Sequence, residues 1–258
     1  MSPQFAIYPS LRDRTVLVTG GADGIGASLV EAFVLQGSKV IFLDISEDKA
    51  SFLVHRLKGT PNTSPPVYYH CDLTQIHELR TTVDRILETQ GKVDVLVNNA
   101  GQDTRKNTED VTPGFFDASV AINLKQMFFL TQAIVPGMQK AKSGSIINMG
   151  SITWAIPATG LPVYTSLKAA IMGLTKTHAH EFGKDGIRVN SIMPGGIATE
   201  RQRRDVYSTP GYAEWMMSNQ ALKIELDPGD VARLALFFAA DDSRAITGQS
   251  YVVDGGWI

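Results

Sequence analysis

Two side chains separated by one helical turn, Tyr164 and Lys168, could together remove a proton from an alcohol. A free tyrosine has a pKa of about 10 and is a weak base near neutral pH. A nearby ammonium group favours the phenolate, and residues four apart on a helix share one face. The pair therefore predicts a general base for alcohol oxidation, in which the proton leaves oxygen as a hydride leaves carbon.

A glycine-rich segment follows the first apolar run of the chain. Residues 15–19 predict a buried strand, and the amphipathic stretch 25–36 predicts a helix. Gly20, Gly24 and Gly26 lie where the two meet. Glycines permit a tight turn and let the backbone approach a pyrophosphate, which the helix N-terminus can bind. The segment predicts a dinucleotide-binding site. The alternative is a glycine-rich turn that packs closely on a neighbouring element and binds no ligand.

An acidic residue, Asp44, ends the second predicted strand at 39–44. Its carboxylate could accept hydrogen bonds from both hydroxyls of an adenosine ribose, and it would repel the extra phosphate of NADP. No Arg or Lys stands directly beside it in the sequence. Asp44 therefore favours NAD as the cofactor, and a cap on the next turn is the alternative role.

Short apolar runs alternate with longer amphipathic stretches along the chain. The runs are rich in Val, Ile and Leu, which is typical of parallel strands buried on both faces. Predicted strands span residues 15–19, 39–44, 67–71, 93–97, 145–149, 187–192 and 250–253. The alternation predicts an α/β fold with a single Rossmann-type, doubly wound parallel sheet flanked by helices. Residues 1–258 are expected to form one domain, with a cofactor half at about 14–145 and a catalytic and substrate half at about 145–258.

The composition limits the partners of the chain. The 258 residues carry a formal net charge of −2, which gives no indication of binding to nucleic acid or to a membrane. The sequence contains no run of about 18 apolar residues, so we expect no membrane span. With one cysteine, Cys71, and no secretory pattern at the N-terminus, we expect a cytoplasmic protein. We expect no metal, and we interpret the five histidines as solvated surface residues.

The order of motifs resembles that of the short-chain dehydrogenase/reductase family. The glycine segment has the spacing Thr-Gly, three residues, Gly, one residue, Gly. Residues 94–101 are similar to the family's strand and loop beside the cofactor, and residues 194–199 to its loop at the nicotinamide. Tyr164 and Lys168 match the family's Tyr/Lys pair. The resemblance covers nearly the whole chain.

This resemblance implies the roles of further residues. It implies that Ser151 holds the substrate oxygen and that Asn123 supports a water chain from Lys168 to solvent, so that the catalytic set is Asn123, Ser151, Tyr164 and Lys168. It also implies a homotetramer or homodimer. The implied NAD contacts are Gly20, Asp23, Gly24, Ile25, Gly26, Asp44, Asp72, Leu73, Asn99, Tyr164, Lys168, Ile197 and Thr199.

Three loops bear on the substrate. Segments 102–108, 152–157 and 200–204 carry many short polar side chains and one tryptophan, which favours a sugar over a steroid or an acyl chain. Ordinary solvated loops are the alternative. Residues 6–11, 40–45, 150–154, 201–202 and 254–257 resemble those of bacterial NAD-dependent aldose 1-dehydrogenases of the D-xylose and D-galactose type, which implies oxidation of an anomeric hydroxyl to an aldonolactone. Candidate substrate contacts are Gln102, Asp103, Ser151, Thr153, Trp154, Tyr164 and Gln202.

Two other functions are open at this point. One is reduction or oxidation of another substrate, such as a 3-oxoacyl thioester, a cyclic ketone or a sugar-acid intermediate. A carrier-bound thioester would predict NADP preference and a basic surface, for which Arg201, Arg203 and Arg204 are candidates. The other is a non-catalytic NAD-binding sensor or scaffold, which would predict replacement of Ser151, Tyr164 or Lys168.

Overall fold

A seven-stranded parallel sheet lies at the centre of the part of the chain described by the structure, a computed structural model covering residues 5–61, 63–205, 207 and 209–258. The strands are β1 Thr15–Thr19, β2 Lys39–Asp44, β3 Val67–His70, β4 Val95–Asn98, β5 Gly144–Met149, β6 Ile187–Pro194 and β7 Ser250–Val253. Their order across the sheet is β3-β2-β1-β4-β5-β6-β7, and every neighbouring pair is parallel. The predicted doubly wound parallel sheet is confirmed.

Helices cover both faces of this sheet. They are α1 Gly24–Leu35, α2 Glu47–Leu57, α3 Ile76–Gln90, α4 Pro113–Val120, α5 Gln126–Ala141, α6 Pro162–Phe182, α7 Glu200–Asp205, α8 Tyr212–Asn219 and α9 Pro228–Ala239. On one face α1 and α9 bury Phe33 and Phe238, and on the other α3 and α5 bury Leu79 and Leu130. Because both faces are covered, β1, β4 and β5 are buried along their whole length, which explains why apolar residues predominate in them.

The order of strands reverses direction between β1 and β4. β1 pairs with β2 on one side and with β4 on the other. The connections after β1 and β2 therefore progress toward one edge of the sheet, and those after β4 progress toward the other edge. Such a reversal opens a crevice at the carboxyl ends of the strands, where ligands of doubly wound folds bind. Four of the predicted site segments follow the carboxyl ends of strands and therefore meet at this crevice: the glycine segment, the loop after β4, Ser151 and residues 195–199.

A nearly continuous helical stretch runs from Pro113 to Ala141. By length and composition alone it is long and apolar enough to cross a membrane, a test that the core helices of globular folds also pass. Here Leu130, Ile134 and Met138 are buried against the sheet, and α5 packs against α3. The apolar character of α5 is therefore largely accounted for by its place in the core, whereas α4 has no buried residue.

Candidate active site

Tyr164 and Lys168 lie on the first two turns of α6, beside the end of β5. Lys168 is only 3% exposed. Its Nζ donates a hydrogen bond of 2.8 Å to the main-chain oxygen of Met149, the last residue of β5, and lies 5.4 Å from the centre of the Tyr164 ring. Burial of the ammonium lowers the pKa of Lys168 to about 8. The predicted shared face of the pair is confirmed.

The prediction that the surroundings of Tyr164 lower its pKa is wrong. The pKa of Tyr164 is raised above its ordinary value, first by burial of the phenol and then by the negative charge of Asp103. Ser151 and Arg201 act in the opposite direction. Lys168 is not among the groups that shift this pKa, although its Nζ lies 5.4 Å from the centre of the ring. The phenol is therefore protonated at neutral pH until further positive charge enters the cleft.

Ser151 follows β5 closely and is 8% exposed. Its Oγ accepts a hydrogen bond of 3.2 Å from the main-chain nitrogen of Thr153, within the short turn that follows. Its hydroxyl also lowers the pKa of Tyr164, which means that the two side chains lie together. They are 13 residues apart and on different elements, so the sheet and α6 bring them to one place.

Asn123 lies in a π-helical turn, Ala121–Lys125, that joins α4 to α5. It is 1% exposed rather than facing solvent. Its Oδ1 accepts from the main-chain nitrogen of Gln102 at 2.9 Å, and its Nδ2 donates to the Gln102 oxygen at 3.0 Å. The side chain thus holds the loop after β4. π-Turns of this kind are frequent at functional sites, and the extra residue is not visible in the apolar periodicity.

Gly101 lies between the side chains of Asn123 and Lys168. A Cβ on this residue would lie 2.9 Å from Asn123 Oδ1 and 3.3 Å from Lys168 Nζ. We expect Gly101→Ala to lower kcat by roughly 10- to 100-fold, because both groups must move by a few tenths of an ångström and positioned groups tolerate little displacement. Steady-state kinetics check this expectation. Gly173→Ala on α6 is the matched control, since a Cβ there meets no atom within 4 Å; equal activity of both variants would contradict the prediction.

The glycine segment forms a cradle at the N-terminus of α1. A Cβ on Gly26 would lie 1.7 Å from the main-chain oxygen of Gly20, so only glycine fits at this position. Gly20 has φ +63°, and Asn99 Nδ2 donates to the main-chain oxygens of Thr19 and Gly20 at 2.9 and 3.1 Å. The backbone therefore closes tightly around an open helix N-terminus, which fits a pyrophosphate.

Asp44 occupies the position expected beside an adenosine ribose. Its Oδ2 accepts from the main-chain nitrogen of Ala22 at 2.9 Å, and its Oδ1 accepts from that of Ser46 at 2.9 Å. The carboxylate thus holds the glycine segment and caps the next turn at once. A carboxylate has about four acceptor positions, so about two remain for ribose hydroxyls. Both roles considered for this residue are compatible.

Asp23, the residue before α1, carries a second carboxylate at the same edge. Its Oδ1 accepts from the main-chain nitrogen of Gly24 at 2.7 Å, which caps the helix. Its Oδ2 forms an ion pair with Lys49 on α2. The first lysine that follows Asp44 in the sequence is therefore bound to Asp23.

The remaining predicted cofactor contacts border the same crevice. A Cβ on Gly24 would lie 3.2 Å from the Thr199 methyl group, so the loop after β6 crosses the glycine segment. Ile197 is buried and forms a β-bridge with Leu226. After β3, Leu73 is 4% exposed, and its side chain belongs to the core.

Asp72, which precedes Leu73 in the same loop, forms hydrogen bonds within its own turn. Its Oδ1 accepts from the main-chain nitrogen of Thr74 at 2.9 Å and from the Thr74 hydroxyl at 2.7 Å. Its main-chain nitrogen donates to Glu78 on α3. Asp72 and Leu73 thus form an ordered turn beside the end of β2, on the side of the crevice where Asp44 lies.

The predicted substrate residues come from three different loops. Asp103 Oδ1 accepts from Arg201 Nη2 at 2.6 Å, and Asp103 Oδ2 accepts from Gln202 Nε2 at 3.1 Å. These contacts join the loop after β4 to α7. Arg201 is not among the predicted substrate contacts, because local spacing does not reveal a partner 98 residues away.

The third loop follows Ser151. Thr153 Oγ1 is inaccessible to solvent and has no hydrogen-bond partner, and Trp154 is 41% exposed. A buried hydroxyl without a hydrogen-bond partner is costly to a folded protein. Gln102 is exposed at the cleft, where Asn123 holds its main chain.

The prediction that the histidines are solvated is wrong for His178. It is 5% exposed, and its ring lies 5.8 Å from that of Phe128 on α5 and 5.1 Å from that of Phe182 on α6. Burial lowers its pKa. Among the described residues no group of three or more His, Cys, Asp or Glu side chains could hold a metal ion.

Comparisons with known proteins agree over nearly the full length. A family model described as enoyl-(acyl carrier protein) reductase matches residues 20–258. D-xylose 1-dehydrogenase of Caulobacter vibrioides is 43% identical over 252 residues, which cover 98% of each chain. Among solved structures, the aldohexose dehydrogenase of Thermoplasma acidophilum has a TM-score of 0.85 and 29% identity, covering 97% of this chain and 96% of that one. A short-chain type dehydrogenase/reductase from Mycobacterium ulcerans has a TM-score of 0.91 and 27% identity, covering 96% of this chain and 90% of that one.

Proposed function

The chain belongs to the short-chain dehydrogenase/reductase family of oxidoreductases, and we propose that it oxidises the anomeric hydroxyl of a free aldose, xylose- or galactose-like, to an aldonolactone with NAD. Dehydrogenases of this family use nicotinamide cofactors on small-molecule substrates. One observation carries the proposal. Three separate parts of the chain, which carry Asn123, Ser151 and the pair Tyr164 and Lys168, meet beside the glycine cradle.

The proton steps belong to residues of this chain. Ser151 donates a hydrogen bond to the anomeric oxygen, and Tyr164 accepts its proton as the hydride leaves the anomeric carbon. Lys168, whose pKa is lowered to about 8 by burial, passes the proton on toward Asn123 and solvent. The loss of one proton and one hydride converts the carbon–oxygen single bond to the lactone carbonyl.

The cofactor would be held by the cradle and by the loop after β6. The glycine segment and the N-terminus of α1 would bind the pyrophosphate, Asp44 the adenosine ribose, and Ile197 and Thr199 the nicotinamide end. Bound NAD supplies the hydride acceptor and the positive ring charge that Tyr164 needs. The choice of NAD over NADP rests on the negative charge of Asp44. Among the described residues of the turn that follows it, no lysine or arginine is free to neutralise this charge.

The sugar substrate rests on the polar cleft and on the relatives. Asp103 and Gln202 would bind ring hydroxyls, and Thr153 offers a buried hydroxyl without a partner. The exposed Trp154 ring would cover an apolar sugar face, and the exposed Gln102 would be a further polar contact. The names of two similar proteins, D-xylose 1-dehydrogenase and aldohexose dehydrogenase, support the same substrate class.

Reduction of a carrier-bound acyl thioester is the second candidate, favoured by the description of the matching family model. It requires a basic surface for the carrier. The three arginines that could form this surface are each paired with a carboxylate, which weakens the candidate. They are Arg201, Arg203 and Arg204, and their partners are Asp103, Glu225 and Asp205. A non-catalytic NAD-binding protein would not need the four assembled residues.

We further propose that the chain forms a homo-oligomer in the cytoplasm, a homotetramer or homodimer. Two apolar surfaces support association. Phe116 and Phe128 are 48% and 42% exposed on the stretch 113–141, and Tyr251 and Val252 are 43% and 39% exposed on β7, the edge strand. The one cysteine, Cys71, is buried and free, which fits a reducing compartment.

An aldose panel tests the proposed function. We expect NADH formation with at least one free pentose or hexose, and at least about tenfold lower kcat/KM with NADP because of the charge of Asp44. Absorbance of the reduced cofactor at saturating sugar measures both. A methyl glycoside of the same sugar is the matched control, because its blocked anomeric oxygen has no proton to lose. No turnover of any free aldose, or equal turnover of the glycoside, would contradict the proposal.

A further inference from the structure

The Asp103 carboxylate joins the two walls of the cleft. On its own side, Asn123 holds the main chain of the preceding residue, Gln102, through two hydrogen bonds. On the other side, Arg201 and Gln202 at the start of α7 each donate to one of its oxygens. The carboxylate is therefore fixed from both walls.

This carboxylate keeps capacity for a ligand. About two of its four acceptor positions are used by the protein, and a guanidinium has five N–H donors. The side chains of Asp103 and Arg201 remain 23% and 47% exposed. A hydroxyl group is both donor and acceptor, so a single sugar hydroxyl can donate to Asp103 and accept from Arg201 at once.

We infer that Arg201 is a specificity-determining residue, which with Asp103 binds one sugar hydroxyl other than the hydroxyl that is oxidised. The reacting hydroxyl lies between Ser151 and Tyr164, so the ion pair at the mouth of the cleft contacts a more distant part of the ring. Arg201 also positions the carboxylate for this contact. The inference rests on the proposed function, because it assumes a hydroxyl-rich substrate.

The same ion pair contributes to the charge that faces Tyr164. Asp103 raises the pKa of Tyr164 and Arg201 lowers it. The other groups that face the phenol are Ser151 after β5 and Lys168 on α6. Removal of the guanidinium alone leaves the negative charge of Asp103 uncompensated, which raises the pKa of Tyr164 further. Removal of the carboxylate charge lowers it.

The same helix offers a matched control. Arg203 forms an ion pair with Glu225, away from Asp103, and its side chain is 53% exposed against 47% for Arg201. Arg203→Met therefore removes an equal charge and one ion pair from α7 without touching the cleft contact. Arg201→Lys keeps the charge but loses the planar fork of donors.

The test compares Arg201→Met, Arg201→Lys and Arg203→Met on the aldose that the unaltered chain oxidises and on its monodeoxy analogues. We expect Arg201→Met to raise KM about tenfold, as is typical of a lost hydrogen bond to a charged group. One monodeoxy analogue should lose about tenfold in kcat/KM with the unaltered chain and nothing further with Arg201→Met. Arg201→Lys should lie between, and Arg203→Met should match the unaltered chain.

The pH profile of kcat/KM is the second readout. The apparent pKa of its rising limb should move upward in Arg201→Met, downward in Asp103→Asn and not at all in Arg203→Met. The inference is overturned if Arg201→Met loses the same factor on every analogue, or if its pH profile matches that of Arg203→Met. If the unaltered chain turns over no aldose, the proposed function fails and this inference fails with it. If the unaltered chain oxidises an aldose but Arg201→Met gives either of the results above, only this inference fails.

Discussion

Tyr164→Phe is expected to lower kcat by about 1,000-fold, within the range of lost general acid–base catalysis. The substitution removes the phenol oxygen that accepts the substrate proton and leaves the ring in place. Lys168 cannot substitute for it, because its Nζ is directed to the Met149 oxygen and lies 5.4 Å from the ring centre. Cofactor affinity should change by less than about threefold, since the glycine cradle is untouched.

Steady-state rates and calorimetric titration with NADH separate the two effects. Tyr69→Phe is the matched control, because its hydroxyl lies on β3 beside Thr89, away from the cleft. We expect this variant to keep full activity. If Tyr164→Phe retained more than about a tenth of kcat with intact NADH binding, the phenol would not be the general base.

Asp44→Asn is expected to shift the ratio of kcat/KM for NADP over NAD by about 100-fold toward NADP. Two charges about 4 Å apart interact by about 4 kcal/mol at an effective dielectric of about 20, and by about 1 kcal/mol in water. The 2′-phosphate of NADP would meet the carboxylate at such a distance. The amide oxygen introduced by Asp44→Asn would still accept from the Ala22 nitrogen, so the glycine segment should retain its fold, whereas the hydrogen bond from the Ser46 nitrogen is lost.

The measurement is the ratio of specificity constants for the two cofactors at fixed sugar. Asp48→Asn is the matched control. It removes the same charge from an exposed position on α2, four residues after Asp44, and should leave the ratio unchanged. Lys49 is bound to Asp23, so neither substitution removes its partner. An unchanged ratio in Asp44→Asn would mean that backbone shape, rather than the carboxylate charge, selects the cofactor.

Several features of this protein are determined by the sequence itself. The strand bounds at 15–19, 39–44 and 250–253 agree with the structure to the residue. Buried parallel strands are read from local composition, and Gly37, with φ +77°, follows the end of α1 as a local requirement of the backbone. The glycine spacing and Asp44 likewise indicate the cofactor crevice, because a strand, a tight turn and a helix N-terminus are neighbours in the chain.

Only the tertiary structure decided which distant residues touch and how they are solvated. The contact of Ser151 with Tyr164 and the ion pair of Arg201 with Asp103 join separate elements, so no local spacing predicts them. The raised pKa of Tyr164 and the buried position of His178 follow from desolvation, which depends on what packs around a side chain. The Tyr164 and Lys168 pair is thus placed by helical periodicity, whereas its protonation is set by the surrounding fold.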